Sequence, residues 1–152
     1  MNSLNKENLH KEIDLIQECI KRMSSNSFLL KGWTISLVAV VIALSEKAVS
    51  LYLLCLILII PLVSFWYLDA FFLYTEKLYR AMYDWVLNKR MVENSNEFMF
   101  DLNPQRFKKD LKDENGKAIT IWSTMFSRTL RAFYLIPIIV IIAIVIYSSC
   151  FK

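Results

Sequence analysis

The apolar residues of this chain are gathered into long runs. Two of them, residues 28–44 and 51–68, are separated by only six residues. At about 1.5 Å of rise per helical residue, each run reaches about 26 Å, close to the roughly 30 Å of bilayer hydrocarbon. The pattern therefore predicts a hairpin of two membrane-spanning helices within residues 28–75, with spans over about 28–45 and 51–74.

A third apolar run covers residues 132–150 and predicts a third span, with Pro137 in its first turns, where a kink is tolerated. The chain has only two glycines and three prolines, so long helices are favoured. We expect an all-α integral membrane protein with three transmembrane helices and a small cytoplasmic helical domain, assembled as an oligomer. The cytoplasmic parts are an amphipathic helix over residues 1–27 and a helical stalk with a basic loop over residues 76–131.

Within residues 1–27, apolar residues recur at spacings of four and three and predict one apolar stripe on a helix. The stripe packs either on the chain's own cytoplasmic domain or on copies of the same helix in an oligomer. A helix lying on the membrane surface is disfavoured, because the polar face is as acidic as it is basic. Nothing in residues 24–27 forbids a continuous helix into the first span. The stripe consists of Leu9, Ile13, Ile16, Ile20 and Met23.

One face of the first predicted span carries small and polar residues, among them Ser27, Lys31 and Thr34. Such a face turns away from lipid and meets either a neighbouring helix or a water-filled path. Lys31 needs a partner or water, because a charge inside a span is costly. In an antiparallel hairpin, Asp69 lies near the same membrane face, so we predict that Lys31 and Asp69 interact. Lys31, Thr34 and Asp69 are therefore candidates for span packing or for lining a pore.

Helical periodicity continues through residues 76–93 and favours a stalk. Turn-forming residues follow at 94–96 and 113–116, and between them lies the strongly basic segment 106–112. This segment is a solvated charged face, a contact for anionic lipid headgroups, or a contact for nucleic-acid phosphates. Core packing is the alternative role for the aromatic residues of the stalk. The candidate phosphate-binding residues are Lys77, Arg80, Lys89, Arg90, Arg106, Lys108, Lys109 and Lys112. The candidate base-stacking residues are Tyr79, Tyr83 and Trp85.

The distribution of basic residues predicts the orientation. Four precede the first span, one lies in the hairpin connection, eleven lie in residues 76–131 and one lies at the C-terminus, within a net charge of +4. Cytoplasmic segments of membrane proteins carry an excess of Lys and Arg. We therefore expect the N-terminus and residues 76–131 to be cytoplasmic.

The sequence contains no familiar catalytic motif, since GxxxxGK[ST], GxGxxG, HExxH and GxSxG are all missing. His10 is the only histidine, and Cys19, Cys55 and Cys150 lie in distant segments, which predicts no metal site. We expect a protein that is not an enzyme and needs no cofactor. Residues 1–27 are polar and do not have the pattern of a cleavable signal.

Several segments are similar to those of a group of small bacterial membrane proteins: residues 26–34, residues 65–69 followed by 76–80, and residues 126–129 followed by 133–134. The similarity covers nearly the whole chain. The layout also resembles small membrane effectors of anti-phage defence, in particular the membrane effector of Hailong-type systems. This resemblance implies a nucleotidyltransferase partner whose single-stranded DNA oligomers bind a central pocket of the oligomeric effector and keep it inactive. Loss of that ligand then releases membrane disruption and cell death.

The leading hypothesis is an oligomeric, multi-pass effector of the bacterial inner membrane. It permeabilises the membrane under the control of a nucleotide or single-stranded DNA oligomer bound in a basic cytoplasmic vestibule. One alternative is a non-conducting membrane scaffold that anchors a cytoplasmic partner. Another is a small transporter subunit, which the scarcity of charges in the spans disfavours.

Overall fold

Two very long helices carry most of the chain. A computed structural model describes residues 3–44, 51–93, 95–112 and 116–150. Helix α1 covers Ser3–Leu44, α2 covers Leu51–Met91, α3 covers Ile121–Met125 and α4 covers Arg128–Cys150, with a 3-10 helix over Pro104–Lys109. In these ranges no strand occurs beyond an isolated antiparallel bridge between Lys112 and Ala118. The predicted all-α class is confirmed.

The scarcity of helix breakers explains the length of α1 and α2. α1 runs without interruption from the amphipathic N-terminal segment into the first apolar run, as the sequence allowed. α2 continues through Pro61 and on into the predicted stalk. The predicted hairpin connection at 45–50, and the predicted turn residues Asn94 and 113–115, lie outside the described residues.

The chain divides into two compact units. Unit 1 comprises Met1–Ser25 and Phe72–Thr120, and unit 2 comprises Asn26–Phe71 and Ile121–Lys152. The division falls within four residues of the predicted boundaries in α1 and α2. The structure groups residues 121–131 with unit 2, whereas the sequence analysis placed them with the stalk.

Unit 1 buries one face of the N-terminal part of α1. Leu9, Ile16 and Met23 of the predicted apolar stripe are buried within this unit, as are Leu78 and Met82 of α2. The stripe is therefore covered by the chain itself. This arrangement favours packing on the chain's own helical domain over packing on other copies.

Unit 2 has the opposite distribution of polarity. Its interior includes the polar residues Ser27, Thr34 and Asp69, while large apolar side chains point outward. Of the described large apolar side chains that are exposed, all but four belong to unit 2. By length and composition alone, one helical stretch in the part of the chain that was searched, Ile57–Met91, is able to cross a membrane. The other two spans stay predictions.

A helical break near the start of α4 differs from the sequence expectation. Helix was predicted across residues 119–129, but α3 ends at Met125 and α4 begins at Arg128. The Ser127 N–H donates to the carbonyl of Thr124 at 3.0 Å, and the Ser127 carbonyl accepts from Arg131 N–H at 2.9 Å. Ser127 thus closes one helix and opens the next, a position that serine favours.

Candidate functional site

Three helices of unit 2 meet at the carboxylate of Asp69. Ser27 Oγ of α1 donates to Asp69 Oδ1. Lys31 Nζ of α1 lies 2.6 Å from Asp69 Oδ2, and Tyr134 of α4 donates its hydroxyl to the same oxygen at 3.1 Å. The Asp69 side chain has no exposed surface, whereas that of Lys31 is 24% exposed. The predicted interaction of Lys31 with Asp69 is confirmed.

The helical spacing of residues 27, 31 and 34 explains why α1 supplies several members of this cluster. Positions separated by three and four residues share one helix face. Lys31 also donates to Ser27 Oγ at 2.8 Å, and buried Thr34 donates to the carbonyl of Leu30 at 2.8 Å. This face of α1 therefore packs against helices of the same chain, which supports the span-packing interpretation of the polar stripe.

Burial of these charges is tolerated because they are paired. An isolated buried carboxylate is costly, and a close cation with further hydrogen bonds offsets that cost. Asp69 accepts bonds from an ammonium and two hydroxyls, so both of its oxygens are engaged. The arrangement is suited to holding three helices together rather than to acid–base chemistry.

An aromatic cluster lies beside Asp69. The indole of Trp66 donates to the carbonyl of Met125 at 2.9 Å and stacks on the ring of Tyr134 with a centroid distance of 6.1 Å. Phe126 meets the same indole edge-on at 5.4 Å. The sequence analysis had not selected Tyr134. Its signal was a hydroxyl-bearing ring at the start of an otherwise apolar run.

A second buried ion pair lies in unit 1. Arg90 Nε is 3.0 Å from Glu12 Oε2, and both side chains are almost fully buried. Arg90 also donates to the carbonyls of Ser95 and Glu97, while Glu12 Oε1 accepts from Phe100 N–H at 3.0 Å. The pair joins α1, the end of α2 and the loop that follows it. Arg90 is therefore engaged by the fold.

The remaining candidate phosphate-binding residues divide into two groups. Arg80 pairs with Glu76 at 2.7 Å, Lys89 with Glu93 at 2.6 Å and Arg106 with Asp101 at 3.3 Å. The second group makes no ion pair with any described residue; its exposed members lie within five residues on the 3-10 helix and just after it, and its half-buried member lies on α2. This group consists of Lys108, Lys109 and Lys112, which are exposed, and Lys77.

The candidate stacking residues are largely used for packing. Tyr79 is buried, and burial, reinforced by the neighbouring Cys19, raises the pKa of its phenol. Tyr83 is half-buried. Trp85, also half-buried, packs against Phe107 with a centroid distance of 5.7 Å. The core-packing alternative therefore describes Tyr79 and Trp85 better than base stacking does.

The guanidinium of Arg106 lies over aromatic rings. Its central carbon is 4.1 Å from the ring centroid of Phe98 and 5.8 Å from that of Trp85. Phe98 and Phe100 are both exposed and have positive φ angles of 54° and 62°. Sequence reasoning missed these two phenylalanines, because a left-handed backbone at a bulky residue is set by distant hydrogen bonds rather than by local preference.

Among the described residues, no group of three or more His, Cys, Asp or Glu side chains is placed to hold a metal ion. Comparisons with family models, curated proteins and solved structures found no match.

Proposed function

We propose that this chain is an integral membrane protein in which unit 2 is the membrane body. The observation that supports this most directly is the polarity of unit 2, where an ion pair is buried and large apolar side chains face outward. Water-soluble proteins rarely expose extensive contiguous apolar surface. In lipid, by contrast, an apolar exterior is favourable and ionisable residues face the bundle interior.

The proposed topology has three spans, with the N-terminus and unit 1 on the cytoplasmic side of a bacterial inner membrane. The excess of basic residues in residues 76–131 supports that orientation. A cysteine-accessibility experiment tests it. A single cysteine near Ser3 is expected to react with a membrane-impermeant reagent only after the cells are opened, whereas one at Lys47 reacts in intact cells. Reaction of both in intact cells contradicts the topology.

We further propose that the protein acts as an oligomeric effector that permeabilises this membrane, as its resemblance to anti-phage membrane effectors implies. A nucleotide or single-stranded DNA oligomer from a partner nucleotidyltransferase controls it. Lys108, Lys109 and Lys112 are the proposed phosphate contacts, because they are exposed cations without an intramolecular ion pair among the described residues. Repetition of these lysines around an oligomer strengthens the attraction for an anion.

Reconstitution into dye-loaded vesicles of bacterial lipid tests the effector role. The expected result is release of the dye by the purified full-length protein, and suppression of that release by a single-stranded DNA oligomer. A protein that inserts stably without releasing dye, with or without the oligomer, is a non-conducting scaffold. That outcome overturns the effector proposal and leaves the membrane topology intact.

A further inference from the structure

The three long helices of unit 2 are connected to the rest of the chain in different ways. α1 and α2 pass from unit 2 into unit 1 as continuous helices. α4 instead begins at Arg128, directly after the two-residue break at Phe126 and Ser127. A short non-helical segment absorbs backbone rotation more readily than a continuous helix does. α4 is therefore the long helix of unit 2 that has a structural hinge within the described residues.

The segment on the other side of this hinge is held in place. Trp66 of α2 donates its indole N–H to the carbonyl of Met125, the last residue of α3, and Phe126 packs edge-on against the same indole. Movement about the break would therefore displace α4 while α3 stays attached to α2.

The bonds at Asp69 differ in how costly they are to separate. Moving α1 away from α2 parts Lys31 from Asp69 and leaves two uncompensated charges in an apolar interior, which is strongly unfavourable. Moving α4 away removes only the neutral hydroxyl of Tyr134, and Asp69 keeps both Lys31 and Ser27. The same hydroxyl lies within hydrogen-bonding reach of Thr34 on α1. Loss of this one hydroxyl thus loosens α4 from both neighbouring helices.

We propose that the Tyr134–Asp69 hydrogen bond is a releasable tie, and that α4 is the helix that moves when unit 2 changes state. Rotation occurs at Phe126 and Ser127, and the α1–α2 pair stays closed through Lys31 and Asp69. The inference rests on the proposed role of unit 2 as the membrane body, and it specifies how that body would be regulated.

Hydrogen–deuterium exchange of the full-length protein in nanodiscs tests the tie. Tyr134→Phe keeps the ring that stacks on Trp66 and removes only the hydroxyl. We expect exchange in peptides covering residues 126–136 to quicken about three- to tenfold, the effect of losing one interhelical hydrogen bond. Exchange in residues 27–38 of α1 is expected to stay unchanged.

Two control variants separate a tie on α4 from a general weakening. Ser27→Ala removes a donor to the same carboxylate from α1, and Ser64→Ala removes an exposed hydroxyl bonded to the carbonyl of Ile60. Neither should quicken exchange at residues 126–136 by more than about twofold, because α4 keeps its bond. Unchanged exchange in Tyr134→Phe, or an equal rise in α1 and α4, overturns the proposal.

A second readout keeps this inference separate from the proposed effector role. If the wild-type protein releases dye from vesicles, Tyr134→Phe should release it faster at equal protein content, and an unchanged rate overturns the proposal that α4 is the moving helix. If the wild-type protein releases none, the effector role fails, and the exchange experiment still decides whether Tyr134 ties α4 to Asp69.

Discussion

Glu12 and Arg90 form a buried ion pair across 78 positions of sequence, with Arg90 Nε 3.0 Å from Glu12 Oε2. The pair determines where the N-terminal part of α1 meets the end of α2. It also positions the following loop, because the free bonding capacity of both groups is directed to the backbone of residues 95–100. The exposed conformation of Phe98 and Phe100 therefore depends on a residue near the start of the chain.

Arg90→Met is expected to destabilise unit 1 strongly, because it leaves the carboxylate of Glu12 buried without its cation. Removal of one partner from a buried ion pair costs about 3–5 kcal/mol. Thermal unfolding of the detergent-solubilised protein measures the loss. Arg80→Met is the matched control, since Arg80 is exposed and pairs with Glu76 one helical turn away. Its effect should stay within about 0.5 kcal/mol, and equal effects of the two variants would contradict the role assigned to Glu12 and Arg90.

Charge reversal at Asp69 is expected to harm assembly of unit 2. Asp69→Lys places two ammonium groups where the structure has an ion pair at 2.6 Å. The double variant Lys31→Asp/Asp69→Lys restores opposite charges and should partly recover the yield of monodisperse protein, measured by size-exclusion chromatography in detergent. A double variant no better than either single one argues against direct pairing in the folded protein.

Replacement of Trp66 by Phe should weaken the attachment of α3 to α2. The smaller ring keeps much of the apolar contact but leaves the carbonyl of Met125 without its indole donor, a loss of about 1–2 kcal/mol. Unfolding in detergent measures it. Trp122→Phe is the control, because Trp122 is exposed. A similar loss in both variants would show that ring size, rather than the hydrogen bond, is responsible.

The proposed anion contact predicts a specific effect of salt. Lys108→Gln/Lys109→Gln/Lys112→Gln should weaken binding of a labelled single-stranded DNA oligomer and reduce the slope of log K against log salt by about 0.7 for each lost contact. Fluorescence anisotropy of the full-length protein in detergent provides the measurement. The control Lys6→Gln/Lys11→Gln/Lys21→Gln removes the same charge from exposed positions of α1. Equal slopes for the two triple variants would refute a local contact, and retention only by anionic vesicles would assign the lysines to lipid.

The buried phenol of Tyr79 predicts a pH effect. Burial raises its pKa above the ordinary value of 10.0, so the folded state favours the protonated phenol. Its contribution to stability is fully present below pH 10 and is lost as the pH rises through the folded pKa. Wild-type protein should therefore lose more stability between pH 9 and pH 11 than Tyr79→Phe does, as measured by unfolding in detergent. Parallel losses in both proteins would show that Tyr79 contributes nothing to the alkaline transition.

The interaction of Lys31 with Asp69 was predictable because membrane burial permits few alternatives for a charge. Two ionisable residues near one end of a helical hairpin have a strong reason to pair. The third partner, Tyr134, was not predictable in the same way. A tyrosine at the start of a span commonly lies at the headgroup level, and only the packing of α4 shows that its hydroxyl turns inward.

The cations illustrate a similar limit. A charged side chain in a sequence carries no mark of whether an acidic partner lies within reach. Arg90 and Lys109 therefore looked alike as phosphate contacts. The structure buries the first against Glu12 and leaves the second exposed.

The sequence by itself determined the helical class, the long uninterrupted helices and the apolar stripe of the N-terminal segment. These follow from local properties, namely the scarcity of Gly and Pro and the spacing of apolar residues. Only the tertiary structure decided that Ser127 breaks the helix, that Asp69 joins three helices, and that Glu12 holds a loop nearly ninety residues away. The reason is physical: hydrogen bonds and ion pairs between distant segments depend on how helices pack, and that geometry is not written in the spacing of neighbouring residues.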